Sequence, residues 1–350
     1  MINFGACQQK LNAIWYQQQP SMLNILLIPL SLLFNLAIIL RNKFAKKSLK
    51  ANPVPVIVIG NLTIGGSGKT PAIISFVQYL QQKGFRPGVI TRGYPISPKK
   101  PICVQKDSSP EEVGDEGLLI FMRTQVPVCV CRDRYASIQT LAAQGVEIIL
   151  SDDGLQNFNF KHDLEIVLYD QTRQFGNQKL LPAGPLREPL TRLQQINFLL
   201  EKKINTQAKS RASLSWHYAK PIYPFELKTD GFISLCDKQK KVSADYFQDK
   251  KVLAVTAIAD PESFFQSLSN QGIQYDRLIF QDHYLFQAKD FAVYMDHTII
   301  MTEKDAIKLL HFTHPDLWVM PLTGSFSASF EQALDHALAT LASQAKVPDN

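Results

Sequence analysis

PVPVIVIGNLTIGGSGKTPAIISFVQYLQQKG, Pro53 to Gly84, is the stretch on which the fold turns. Its first residues, through Gly60, are β-branched and nearly all apolar, as expected of a strand buried on both faces. A glycine-rich loop follows at once. From Lys69 the apolar residues recur at helical spacing, and the pattern stops at Gly84. Strand, glycine loop and helix in that order form the setting of a phosphate-binding loop. Gly65, Gly66 and Gly68 let backbone N–H groups converge on phosphate oxygens with no Cβ in the way. Lys69 brings a point charge to the β- and γ-phosphates, and the Thr70 hydroxyl suits Mg²⁺. The helix aims the positive end of its dipole at the same anion. The expected nucleotide-binding segment is therefore Thr63, Ile64, Gly65, Gly66, Ser67, Gly68, Lys69 and Thr70, with Lys69 also acting on the chemistry. One position departs from the pattern, which wants glycine where Thr63 stands. The change removes no phosphate ligand. It implies that the loop entrance needs no positive φ there, or tolerates some strain. The bland alternative is a glycine turn with an incidental Lys-Thr.

Outward from this unit, strand and helix patterns alternate. RPGVITRGY reads as a strand, and VGDEGLLIFMRT opens a helix at Gly114–Asp115. VPVCVCRD, VEIILSDDG, DLEIVLYD and INFLLEKKI read as strands, with a helix over RYASIQTLAAQG. Repeated βα units imply a mostly parallel, doubly wound sheet. Residues 217–250 turn polar, with short strand-like pieces and a Lys-rich turn, and read as a linker or hairpin. Alternation resumes with KVLAVTAIA, PESFFQSLSNQG, YDRLIFQ, HTIIMTEKD and LWVMPL. The expected organisation is an N-terminal segment 1–50, a nucleotide-binding domain 51–216, the linker 217–250 and a smaller α/β domain 251–345.

The chain has 350 residues and a formal charge of +6. Its first fifty residues hold Lys10, Arg41, Lys43, Lys46, Lys47 and Lys50 with no acid, so the rest balances at zero. A nucleic-acid binder spreads its basic surface over the folded domain. Here the excess follows an apolar run instead, the pattern of a protein that meets anionic lipid. Met22 to Leu40 carries no charge over nineteen residues, about a bilayer's width. Gln17, Asn24, Ser31, Asn35 and Asn42 would form one narrow polar stripe on a helix, and Pro29 would kink it. An interfacial anchor, a spanning helix and an ordinary buried helix all remain open. If the segment spans, the basic cluster keeps the remainder in the cytoplasm. The five cysteines are irregularly spaced with no CxxC, which argues against a disulfide framework or structural zinc.

Asp152 and Asp153 end a buried strand, where an acid completes Mg²⁺ coordination in such folds. Arg92 of TRGY also stands at a strand end, facing the switch-point crevice. LLPAGPLREPL, 180–190, fixes Arg187 in a proline-rich loop, where it would clamp a phosphate or simply form a salt bridge.

Taken in order, NLTIGGSGKTP, TRGY, VGDE, SDDGLQN, LLPAGPLREPL, TAIADPESF, FQDHYLF and TEKDAIK resemble the tetraacyldisaccharide 4′-kinases of the lipid A pathway of Gram-negative bacteria. The resemblance runs from about residue 50 to 310, and the hydrophobic N-terminus matches that family's membrane-associating helix. It implies transfer of the γ-phosphate of ATP to the 4′-hydroxyl of a tetraacyl disaccharide 1-phosphate, with Mg²⁺, on the cytoplasmic face of the inner membrane. By motif, Lys69 and Thr70 serve nucleotide and metal, and Asp152 and Asp153 support the metal. Asp115 would draw the proton from the sugar hydroxyl with His283 as partner, although Asp115 also reads as a helix cap and His283 as a packed loop residue. Arg92, Gln156, Arg187 and Glu188 would meet the disaccharide. The sequence departs from the family pattern at Asn157, where histidine is usual, at Leu155 in place of an aromatic, at Ala257 in place of glycine, and after Tyr94, where a second glycine is missing. Two other readings stand beside this one: a phosphate-loop kinase of a soluble metabolite, and a membrane-attached NTP-driven switch.

Overall fold

The computed structural model describes residues 14–17, 21–45, 49–66, 68–204, 216, 218–309 and 314–344. Ser67, Lys10, Lys46 and Lys47 lie outside them. The strands are β1 (Val56–Gly60), β2 (Pro87–Thr91), β3 (Ile102–Cys103), β4 (Val128–Val130), β5 (Ile148–Asp152), β6 (Leu164–Asp170), β7 (Phe198–Ile204) and β8 (Ile222–Lys228). They continue with β9 (Phe232–Ser234), β10 (Lys241–Val242), β11 (Val252–Thr256), β12 (Asp276–Ile279), β13 (Thr298–Thr302), β14 (Leu317–Met320) and β15 (Thr323–Phe326).

Nine strands form one sheet in the order β15-β8-β7-β6-β1-β5-β2-β4-β3. All neighbours are parallel except the two edge pairs, β15/β8 and β3/β4. β1 is buried throughout, between β5 and β6. Its all-apolar run follows from that place, because helices or loops cover both faces. The helix Lys69–Gln82 packs Ile73, Phe76, Val77 and Leu80 into the core on one face. The other face buries Phe160, Phe175 and Leu193. The smaller sheet, β10-β9-β14-β13-β11-β12, has a parallel centre and antiparallel strands at one side.

The strand pairing divides the chain differently from the sequence reading. Residues 217–250 are not one linker: β8 joins the large sheet beside β7, while β9 and β10 belong to the small one. Only Phe225 of β8 is fully buried, so a strand one in from the sheet edge carries the polar composition of a loop. The end of the chain also returns to the large body. β15 pairs with β8, and the helix Ala328–Gln344 sets Phe330, Leu334 and Leu338 into the core beside Phe76.

At the N-terminus the chain turns at Leu27, between a short helix Met22–Leu26 and a longer one Ile28–Ala45, just before Pro29. Among the described residues no helix is long and apolar enough to cross a membrane. Of the polar stripe, Asn24 and Ser31 are buried and Asn35 and Asn42 half-buried, while Gln17 is exposed. Met22, Leu26, Leu33 and Phe44 face outward at 82%, 70%, 63% and 67% exposure. The polar side therefore faces the protein and the apolar side faces away from it.

Candidate active site

A cleft of about 1220 Å³ lies where the two sheets meet, at the carboxyl ends of β1, β2 and β5. Ile64, Gly65, Gly66, Gly68, Lys69 and Thr70 line it. Gly65 and Gly68 sit at φ +107° and +78°, a region closed to most side chains. A Cβ on Gly68 would also meet the Lys202 side chain at 2.9 Å. Thr63 has no positive φ. It forms an antiparallel bridge with Leu186, flanked by Ile64 N–H donating to the Pro185 carbonyl at 2.9 Å and Arg187 N–H to the Leu62 carbonyl at 2.7 Å. The proline-rich loop thus zips onto the loop entrance and holds it extended, which is why glycine is not required there.

The same loop is held from its other side by the N-terminal segment. Trp15 Nε1 donates to the Pro182 carbonyl at 2.9 Å. Ser31 Oγ donates to the Leu180 carbonyl at 2.9 Å and accepts from Ala183 N–H at 3.0 Å. Arg41 reaches Glu188 at 3.2 Å.

The two strand-end acids have separate environments. Asp153, at φ +48°, accepts from Arg187 Nη1 at 2.9 and 2.8 Å, with Lys69 Nζ 3.7 Å away. Burial pushes this carboxyl up, but Lys69, Arg187 and Arg134 together hold it well below the usual range. Asp152 is 3% exposed, and its Oδ1 has no hydrogen-bond partner. Its other oxygen meets Thr91 Oγ1 at 3.4 Å. Burial, then the nearby Glu116 carboxylate, push Asp152 up to about 7 against the pull of Lys69 and Arg134. Lys69 Nζ also donates to Asn61 Oδ1 at 3.4 Å.

Across the cleft, His283 of the small body meets Asp115 of the large one, Nδ1 to Oδ2, at 2.9 Å. His283 stands at φ +62° with its N–H on the Ala257 carbonyl at 3.2 Å, and the Tyr94 ring lies edge-on to it at 5.1 Å. A non-glycine residue in that region is held there by its surroundings. His283 lines the cleft, whereas Asp115 is buried behind it. Asp115 Oδ1 accepts the Glu116 N–H at 2.9 Å. Burial raises the Asp115 carboxyl, but the hydrogen bond from His283 and the charges of Lys304 and Lys308 outweigh it and keep the group ionised.

The sequence-derived disaccharide residues separate. Arg92 and Gln156 line the cleft. Arg187 lines it too, but paired with Asp153 beside the phosphate loop rather than apart from it. Glu188 is wholly buried and outside the lining. It accepts from Gln156 at 3.1 Å and from Arg41, so in this structure it is a bracket between elements rather than a contact surface. Asn157 lines the cleft, with its side chain capping Asn159 N–H at 3.0 Å. Leu155 fills the space above Gly60, where a Cβ would meet it at 2.7 Å.

The sequence reading did not single out Glu116, Lys304, Arg134 or Tyr94, all of which line the cleft. Glu116 and Lys304 pair across it at 3.0 Å. Glu116 directly follows Asp115 at a helix start, and Lys304 lies inside TEKDAIK. Each signal was present, but only the fold brings them together.

No cluster of three or more His, Cys, Asp or Glu able to hold a metal occurs among the described residues. Mg²⁺ needs less, because it keeps waters and takes one or two carboxylates plus substrate phosphates. The partnerless, buried Oδ1 of Asp152 fits that demand, with Thr70 lining the same cleft.

A glycine loop at the switch point of a doubly wound sheet, with an Asp–His pair formed between that body and a second one, defines a nucleotide-dependent phosphotransferase. The family model described as "Tetraacyldisaccharide-1-P 4'-kinase" matches residues 23–339. The tetraacyldisaccharide 4′-kinase of Shewanella denitrificans is 41% identical over 340 residues, spanning 95% of this chain and 98% of its own. That of Nitrosococcus oceani is 39% identical, spanning 90% of each chain. Among solved structures, LpxK from Aquifex aeolicus in complex with ATP superposes with a TM-score of 0.72 at 27% identity, covering 90% of this chain and 99% of that one. The chain belongs to the tetraacyldisaccharide-1-P 4′-kinase family.

Proposed function

We propose that the chain transfers the γ-phosphate of ATP to the 4′-hydroxyl of a tetraacyldisaccharide 1-phosphate at a membrane surface, the cytoplasmic face of an inner membrane. The observation that carries this reading is the Asp115–His283 contact, which joins the two bodies at the cleft that Lys69 also lines. Phosphoryl transfer needs positioning, charge neutralisation and a group to take the hydroxyl proton. The glycine loop and Lys69 hold the triphosphate. Arg187, already fixed on Asp153, adds a positive charge beside it.

His283 faces the cleft, so it takes the role that the sequence reading gave to Asp115. With Nδ1–H donated to Asp115, Nε2 presents its lone pair, and the nearest acid, Asp282, stands 3.8 Å from it. The hydroxyl proton passes to Nε2 as the bond from O4′ to the γ-phosphorus forms and the bond from that phosphorus to the bridging oxygen of ADP breaks. Asp115 stabilises the imidazolium, and water later removes the proton. Mg²⁺, where bound, would be held by Thr70 and Asp152 and would neutralise charge on the phosphate oxygens; Asp153, committed to Arg187, steadies the loop lysine instead.

The outward leucines of the N-terminal helices would enter the lipid interface while the acyl chains stay in the bilayer. Incubation with ATP, Mg²⁺ and tetraacyldisaccharide 1-phosphate, followed by mass analysis, tests the reading. One added phosphate is expected. ATP hydrolysis with no phosphorylated lipid would refute it.

A further inference from the structure

Behind the Asp115–His283 pair lies a buried lysine that the mechanism above does not use. Lys308 is 2% exposed and does not line the cleft. Its Nζ is 3.1 Å from Asp305 Oδ1 and 3.7 Å from Asp115 Oδ2, the same oxygen that His283 Nδ1 contacts. Asp305 is itself fixed. It is fully buried, and its Oδ2 accepts from Thr302 Oγ1 at 2.8 Å, Thr256 Oγ1 at 3.0 Å and Ala257 N–H at 3.1 Å. The Ala257 carbonyl holds the His283 backbone. One residue at the end of β11 thus anchors both groups that reach from the small body to Asp115.

We propose that Lys308 is a positioning residue for phosphoryl transfer: anchored by Asp305, its ammonium fixes the Asp115 carboxylate as a pure acceptor and so keeps the ring proton of His283 on Nδ1, leaving the Nε2 lone pair toward the cleft. The inference rests on the role given to His283 above. A carboxylate as buried as Asp115 favours its neutral form unless a charge compensates it. A protonated Asp115 would donate to Nδ1, forcing the ring proton onto Nε2 and leaving no lone pair toward the sugar hydroxyl. Lys308 opposes that exchange together with Lys304, and unlike Lys304 it does so from outside the cleft lining. A lysine serving only the small-body core would be satisfied by Asp305 alone. Its reach across the cleft boundary to Asp115 is the feature that such a role does not require.

The test uses the full chain and compares wild type, Lys308→Met, Asp115→Asn and the double variant. Steady-state rates are measured with ATP and tetraacyldisaccharide 1-phosphate, and thermal melting checks the fold. Lys308→Met is expected to lower kcat by roughly 10- to 100-fold with the KM for ATP within about 3-fold of wild type. In the Asp115→Asn background the same substitution is expected to change kcat by less than about 2-fold, because the two residues act as one unit. A kcat within about 2-fold of wild type in Lys308→Met, or an equal loss in both backgrounds, overturns the proposal. Whether wild type phosphorylates the disaccharide at all is read in the same assay, and it judges the reading of function separately. Should Lys308→Met fail to fold, the ¹⁵N resonance of the Lys308 ammonium is compared between wild type and Asp115→Asn, which keep the lysine. A shift supports the contact, and an unmoved resonance overturns the proposal.

Discussion

Asp152→Asn should stabilise the metal-free protein, and by more as pH rises. Asp152 is 3% exposed, has a partnerless oxygen, and is pushed up to about 7 by burial first and Glu116 second. An acid whose folded pKa exceeds its unfolded value holds extra protons in the folded state, so it removes stability as pH rises. The loss begins near the ordinary carboxyl value of 3.8 and levels off above about 7. At 1.36 kcal/mol per pH unit, wild type should lose about 2–3 kcal/mol between about pH 5 and about pH 8 that Asp152→Asn does not lose. The comparison between the two proteins cancels the titrating groups that do not interact with Asp152. The assay is equilibrium urea unfolding of both, nucleotide-free and in EDTA, at the two pH values. A stability difference between wild type and variant that stays the same at both pH values would refute the reasoning. Mg²⁺ with ATP should recover the lost stability in wild type at the higher pH but not in the variant.

Asp115→Asn keeps an acceptor for the Glu116 N–H but turns a donor toward His283, so kcat should fall by roughly 10²–10⁴-fold while ATP affinity, read by calorimetry, changes little; near-normal turnover would reduce Asp115 to a helix-start residue. Thr63→Gly should leave turnover close to wild type, since Thr63 offers no phosphate ligand, but should lower thermal stability by about 1 kcal/mol, chiefly from unfolded-state freedom; a large rate loss would mean that the side chain serves the nucleotide. Replacing Leu26 and Leu33 by Gln should weaken binding to anionic vesicles in a flotation assay, and added salt should weaken it further by screening the nearby basic residues; undiminished flotation would place the attachment elsewhere. Lys69→Ala should abolish phosphorylation with an unchanged far-ultraviolet spectrum, and retained turnover would remove the loop lysine from the mechanism.

The alternation around Val56–Gly60 and Lys69–Gln82 was legible because burial on both faces writes a continuous apolar strand and helix packing writes a 3.6 period. The residues of β8 read as strand-like, but its place in the large sheet was not legible, and β15 was not read as a strand. At the sheet edge and one strand in from it, with only Phe225 fully buried, they lack the pattern that burial imposes. The Asp115–His283 pair came from recognised motifs rather than from spacing, since 168 positions separate the two. Local sequence cannot say which of the two faces the cleft, because that depends on how far each body's surface closes over Asp115. The burial of Glu188 was not legible for a related reason. An Arg-Glu pair in a fixed loop suggests recognition, but adjacent residues on an extended segment point to opposite sides. Arg187 went to the cleft and Glu188 to the interior.

The N-terminal helices turn their hydrogen-bonding residues toward the catalytic body, and this limits what can replace them. An unrelated apolar helix grafted onto residue 46 would leave the carbonyls of Leu180 and Pro182 without Ser31 and Trp15. Those carbonyls belong to the same loop whose Pro185 and Leu186 grip the nucleotide loop entrance at Ile64 and Thr63. The N-terminal helices and the loop therefore form a matched pair. Exchange of N-termini between relatives should succeed only when positions 15, 31 and 41 travel together with 180–188, so that inheritance, like assembly, treats the two segments as one part.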